Sequence, residues 1–453
     1  MMDEKKKIAI LSILIVSVLS IGVAYPIINL SQLQNDYQYI ITLPILYIIG
    51  TFIVILFSKP NNPLIKYLIL LLFAIKIYLF PILVIINGFN MRSYNYELEE
   101  NITKAVFIQS IEWITTVVCM LTINPRKNNK EKLASNKILN KNTKRITIII
   151  LLICLIGIII WPQLTNSYHT FYFSSIAEEI SWKKSAYEAH EIIPLAIYYP
   201  LTFIMRIGRI LLPIFIIDTI SKAKRLSKSF KLISSLLLVP LLLLLYVPDD
   251  KAGSVMSAAA MVIMLAKVYG NNRKIYRLMT IGAILMAIII APLFANPNRI
   301  NAYFSGFINT SAVFEMDEEQ KTKVLLGDTL RSIPIVKGFF VDMPTTTERF
   351  NKALGLDTVY NSQIIPSEGQ SYYYAGIIGV ILSTYALVKI AYSLYAKGEL
   401  SNNSFTYFTY LFYSLLVAFG IVMYDNFLIL SLSLQYIPLI IISKITKQEK
   451  ARK

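Results

Sequence analysis

Residues 124–161 read NPRKNNKEKLASNKILNKNTKRITIIILLICLIGIIIW, a loop crowded with Lys127, Lys130, Lys132, Lys137, Lys141, Lys144 and Arg145 that gives way to a run without a charge. The run is long enough to lie in hydrocarbon, and the cluster before it is what the cytoplasmic side of a membrane protein retains. Lys222, Lys224, Arg225, Lys228 and Lys231 form a second such cluster, and the tail Lys444 to Lys453 a third. Threading twelve apolar runs through a bilayer from a cytoplasmic N-terminus leaves 28 Lys/Arg against 6 Asp/Glu inside, with Lys267 counted at the inner end of its run. Outside, the same threading leaves 12 against 20. The net charge of +17 is therefore topological sorting rather than a nucleic-acid footprint.

The runs predicted to span are 8–28, 40–57, 67–87, 105–123, 146–161, 193–217, 232–247, 252–268, 278–295, 371–395, 405–424 and 427–443. The chain is 55% hydrophobic and only 16% charged, well below the roughly one-quarter charged content of soluble domains. The first run follows Lys5, Lys6 and Lys7 and lacks a small-residue cleavage site, so it reads as an uncleaved helix. The expected fold is an all-α polytopic integral membrane protein of about twelve transmembrane helices, one transmembrane domain over 1–453 with both termini cytoplasmic. A smaller external loop occupies 162–192, and a large one, 296–370, lies between helices 9 and 10. Within the larger loop, Thr345 and Glu348 have capping-box spacing ahead of Phe350 and Leu354, with Gly355 as the stop. A second helix is predicted from about Glu315 to Leu330, its first turns holding Glu315, Asp317, Glu318 and Glu319. Both are expected to lie on the outer membrane surface. The weakest spans are the pair around Pro240 and the hairpin at Asp425–Asn426.

Candidate chemistry starts with Arg206 and Arg209, at i and i+3 on one face of the sixth run, where ionisable groups face a cavity or a partner. Two forked cations match phosphate oxygens; the competing reading is a structural pair with Glu112 in the fourth run. Lys251 and Ser254, in the turn Pro248 to Ser254, carry a charge and a hydroxyl to the head of the eighth run. Arg299, Arg331 and Arg349 in the large loop are candidates for an acidic or sugar ligand. Tyr372 and Tyr373 are candidate sugar platforms at a membrane entrance, and Glu368 beside them is a candidate general base. His169 and His190, whose side chains titrate near neutrality, compete for that role. Lys76, Glu112 and Lys389 lie deeper in apolar runs, Lys389 near enough to an end to snorkel. Glu112 would suit a proton path, which favours a transporter. Cys119 and Cys154 both fall inside apolar runs, and neither a disulfide, a metal nor a cofactor is expected.

A dozen runs, a large external loop late in the chain and the Tyr-preceded, Gly-bearing stretch Glu368 to Ser383 together resemble the Wzy-type surface-polysaccharide polymerases, the repeat-unit polymerases of O-antigen and capsule. Asp250-Lys251-Ala252-Gly253-Ser254 is similar to that family's small-basic-small turn, with Lys in place of the usual Arg. The resemblance implies metal-independent glycosyl transfer on the outer face of the bacterial cytoplasmic membrane. A growing glycan would leave its undecaprenyl-pyrophosphate carrier for a hydroxyl of the next lipid-linked oligosaccharide repeat unit, beside a flippase and a chain-length regulator. Arg206, Arg209 and Lys251 would steady the departing pyrophosphate, and Glu368, His169 or His190 would align the acceptor. A polysaccharide ligase of the same fold and a lipid-linked oligosaccharide flippase remain as alternatives. A flippase is expected to show two similar halves and short outer loops, which the 75-residue loop does not match.

Overall fold

Seven helices of the computed structural model are long and apolar enough to cross a membrane. Described are residues 16–20, 22–23, 37–58, 63–86, 99–123, 138–167, 192–244, 251–269, 306–334, 336–340, 342–356 and 363–451, and among them there is no strand. The helices are α1 (Thr42–Phe57), α2 (Leu64–Ile86), α3 (Glu99–Thr122), α4 (Lys141–Ile160), α5 (Leu195–Lys222), α6 (Lys228–Leu236), α7 (Pro240–Leu244), α8 (Lys251–Val268), α9 (Phe307–Ala312), α10 (Lys321–Arg331), α11 (Thr346–Ala353), α12 (Ser367–Glu399), α13 (Ser404–Met423), α14 (Asn426–Gln435) and α15 (Ile437–Ala451). The spanning set is α1 to α5, α12 and α13, and each falls on a run expected to span. The chain is a helical multi-pass membrane protein.

Two expected spans are interrupted beside a proline, each for a local reason. Residues 232–247 were expected to cross as one helix, but α6 ends at Leu236, turns through 237–239 and restarts at Pro240. Pro240 has no N–H for the Leu236 carbonyl, so the ladder stops there. Residues 427–443 form the bent pair α14 and α15, which meet at 44° around Tyr436. Pro438 likewise cannot donate to Leu434. The run 252–268 forms the shorter α8, whereas 278–295 and most of 8–28 lie outside the described residues.

The bundle is built around α13, whose sequence is apolar on every side and which is accordingly 89% buried. Packed on it are α12, α8, α2 and α15, while α4 lies at the periphery with 22% of its apolar window buried. Helix α12 is in fact two helices. At Ala375 and Gly376 the backbone leaves the helical region, with Gly376 at φ 60°, a value that favours glycine. Across this break the Ser371 hydroxyl donates to that of Ser383 at 2.7 Å, although the two would be about 18 Å apart along a straight helix. A Cβ on Gly379 would come within 2.3 Å of the Ser371 carbonyl, so the fold-back needs a glycine there too. The short head Ser367–Tyr374 therefore tucks against the span that follows it.

The large loop is ordered where it is described. The capping box of α11 forms as expected: Thr345 Oγ1 accepts from the Glu348 N–H, Glu348 accepts from the Thr345 N–H, and Gly355 stops the helix at φ 65°. The helix expected from Glu315 begins instead at Lys321, because the backbone is extended at Met316 and left-handed at Gln320. The acids 315–319 precede the helix rather than occupying its first turn. Helix α9, in the same loop by sequence, is buried along its whole length against α3.

Candidate functional site

Charged clusters lie among the membrane-spanning helices in the described residues. The first joins α2, α3 and the head of α12. Lys76 sits in a π-helical stretch, Ala74–Leu79, inside α2. The wider turn is a distortion that an apolar run has no reason to adopt alone, and such bulges accompany functional positions. The Lys76 ammonium is 2.8 Å from Glu112 Oε2 and 2.9 Å from Glu368 Oε2, and all three side chains are 0% exposed. Thr310 of α9 donates to Glu368 Oε1 at 3.0 Å and Gln109 Nε2 donates to the same oxygen at 3.2 Å. The centre of the Phe73 ring is 6.0 Å from the ammonium, and Phe73 packs on Trp113, centroids 5.1 Å apart, whose N–H donates to the Leu46 carbonyl.

The second cluster lies on α5. Arg206 donates to the Gln435 side chain, and Arg209 to Ser254 Oγ and, at 3.1 Å, to the Tyr436 hydroxyl. Gln435 and Tyr436 mark the break between α14 and α15, and Ser254 lies one turn into α8. Arg209 is buried and Arg206 half-buried. These described partners are neutral hydrogen-bonding groups. The alternative pairing of the arginines with Glu112 does not occur, since Glu112 faces Lys76 on another part of the bundle. Lys251, expected beside them, is the first residue of α8, and Ser254 follows it by one helical turn.

A third cluster fastens the ordered loop to the bundle. Asp328 of α10 accepts from the Thr346 N–H at 3.0 Å and the Tyr374 hydroxyl at 2.8 Å, and also from Thr346 Oγ1. Gln370 links it onward: its Nε2 donates weakly to Asp328 at 3.4 Å, and its Oε1 accepts from the Asn426 N–H at 2.9 Å. Asp425 caps α14 by accepting from the Leu428 N–H at 2.8 Å. Burial pushes the Asp328 carboxyl above its ordinary range. For Asp425 burial carries it up to about 7, against the pull of the Leu428 N–H and with the help of the nearby Asp328 charge.

The remaining expected residues are distributed differently. Glu368, expected at a membrane entrance as a base, is instead buried in the first cluster with its carboxylate already engaged by Lys76, Thr310 and Gln109. Arg331 donates to the Met343 carbonyl at 2.9 Å and to Glu348 at 2.5 Å, tying α10 to the cap of α11. Arg349 donates to the Asp317 carbonyl at 2.7 Å and approaches the hydroxyl of Tyr373, which also donates to Asp317. Tyr373 is thus a packed residue under a loop, and Tyr372 stacks obliquely on Phe314, centroids 5.2 Å apart. Lys389 is exposed, with its ammonium 5.3 Å from the centre of the Tyr385 ring. His169, His190 and Arg299 lie outside the described residues.

Sequence reasoning passed over Asp328, Asp425, Gln109, Thr310, Gln435 and Tyr436. The available signal was Pro438, which marks a helix break beside Gln435 and Tyr436, and broken helices are where membrane proteins expose backbone and polar side chains to ligands. No protein-family model matches the sequence, and no curated protein or solved structure matches it either.

Proposed function

We propose that this chain is a membrane glycosyltransferase that polymerises undecaprenyl-pyrophosphate-linked oligosaccharide repeat units on the outer face of the bacterial cytoplasmic membrane. The observation that carries the reading is the convergence of Arg206 and Arg209 with Gln435, Tyr436 and Ser254 at a broken helix inside an apolar bundle. A guanidinium is costly there, and an ionisable group inside a membrane faces a cavity, a partner or a ligand. The forked N–H donors of the two arginines match the oxygens of a pyrophosphate. As the glycan departs, negative charge grows on the carrier pyrophosphate, so cations fixed beforehand lower that barrier. Lys251, the first residue of α8 and three residues before Ser254 in sequence, is the proposed third cation. Alignment of the acceptor hydroxyl falls to His169 or His190, because Glu368 in its buried pairing offers no face to a sugar. The transfer breaks the anomeric carbon–oxygen bond to pyrophosphate and forms one to the acceptor oxygen, whose proton passes to that base.

A lipid-linked oligosaccharide flippase is the second reading, favoured by the Lys76–Glu112–Glu368 cluster, since buried titratable groups within a membrane suit a coupled transporter. A strain lacking the protein separates the two. Surface glycan is resolved by size, and the membrane face carrying the lipid-linked units is probed. Single units exposed outside with the long ladder gone support the polymerase. Units held on the inner face support the flippase, and an intact ladder left on its lipid carrier means a ligase.

A further inference from the structure

The Lys76–Glu112–Glu368 cluster contains two carboxyl groups and one ammonium, and the charged groups acting on Lys76 and Glu112 among the described residues are the other members of the trio alone. Each side chain is 0% exposed. The elements packed around them add neutral groups: Gln109 from α3, Thr310 from α9, and the Phe73 ring, 6.0 Å from the ammonium. With every member ionised, the cluster would hold one uncompensated negative charge inside an apolar bundle, where an unpaired ion is strongly disfavoured. One proton removes it.

Its position follows from the donors. Glu368 accepts two hydrogen bonds at Oε1, from the Thr310 hydroxyl and the Gln109 amide, and its Oε2 is ion-paired to the Lys76 ammonium at 2.9 Å without a hydrogen bond. Glu112 receives the ammonium alone at Oε2, and its Oε1 has no hydrogen-bond partner among the described residues. Donors stabilise a carboxylate, so the negative charge belongs on Glu368. We propose that the trio is a one-proton binding site within the membrane-spanning bundle, with Glu112 carrying the proton and Glu368 the charge that pairs with Lys76. The site is independent of the glycosyl-transfer reading. It joins two spans to α9 and the head of α12, both from the segment expected to be external. Loss of the proton places repulsion between Glu112 and Glu368 at the point where that segment is anchored.

The test is infrared spectroscopy of the full chain in lipid nanodiscs at neutral pH, with and without glutamate labelled by carbon-13 at the side-chain carboxyl. The expected result is a protonated-carboxyl carbonyl band that shifts with the label and is lost in Glu112→Gln. That variant is the neutral isostere of a protonated Glu112, so it should fold and melt close to the parent. Glu368→Gln, which removes the better-solvated anion, should melt lower than Glu112→Gln. Absence of a label-sensitive protonated band, its persistence in Glu112→Gln, or failure of Glu112→Gln to fold each overturns the proposal. Reversal of the order of melting moves the proton to Glu368 and overturns it as well.

Discussion

The two charged clusters in the bundle solve one problem in opposite ways. Lys76 is fully buried and meets two carboxyl groups, so its charge is balanced within the protein. Arg206 is half-buried and meets Gln435, a neutral amide at a bent helix junction, with Arg209 one turn away on Ser254 and Tyr436. Charge that is closed on itself serves architecture or a proton; Arg206, whose described partner is a neutral acceptor, is where an arriving anion is expected to bind. The acidic cluster at Asp328 and Asp425 is the anionic mirror of the arginine pair, buried and held by hydroxyl, amide and backbone donors.

The contrast breaks most sharply at Arg206. Arg206→Ala should abolish long-chain polymer while leaving the protein inserted and abundant, read by glycan sizing beside a membrane immunoblot. Near-normal polymer would remove Arg206 from the mechanism. Lys251 extends the same argument along α8: Lys251→Ala should lose polymer and Lys251→Arg retain it, and equal behaviour of the two would make charge there irrelevant. In the closed cluster the expectation is the reverse, with damage to the fold. Lys76→Met strands two carboxyl groups in the core and should cost about 3–5 kcal/mol, seen as a lower melting temperature or reduced yield. Parent-like stability would mean that the cluster is not closed in the working protein.

The acidic mirror predicts a smaller, pH-dependent effect. Asp425 binds its proton more tightly folded, at about 7, than at its ordinary value of 3.8. Between those values the native state therefore holds more protons than the unfolded one. The stabilisation is complete below about 4 and is lost as pH rises through 7. Asp425→Asn keeps the cap on α14 but should flatten that decline in thermal melts between pH 4 and 8. Asp328, shifted in the same direction, leaves part of it. An unchanged slope would mean that Asp425 is not the titrating group.

What the sequence made legible was local or additive. Seven of the expected spans fall on long apolar helices because hydropathy sums over neighbours and needs no tertiary partner. The Thr345–Glu348 box and the Gly355 stop were readable because cap chemistry acts over a few residues. Pro240 and Pro438 were visible, yet whether a proline kinks or divides a membrane helix depends on what packs there. The head of α12 looked like a tyrosine-rich entrance, and only the fold-back at Ala375–Gly376 turns Tyr373 and Glu368 inward. Lys76 and Glu112 stood out as ions within apolar runs, but choosing Glu368 as their third member requires a contact across 256 or more residues. Periodicity on a single helix carries nothing about that choice.

The most direct test of the central claim is polymerisation by the purified full chain reconstituted in lipid with undecaprenyl-pyrophosphate-linked repeat units, with products resolved by size. The prediction is a ladder of lipid-linked glycan that forms with the parent protein and is absent with Arg206→Ala of equal melting temperature. Single units unchanged by the parent protein, or a ladder made equally well by both, would contradict it.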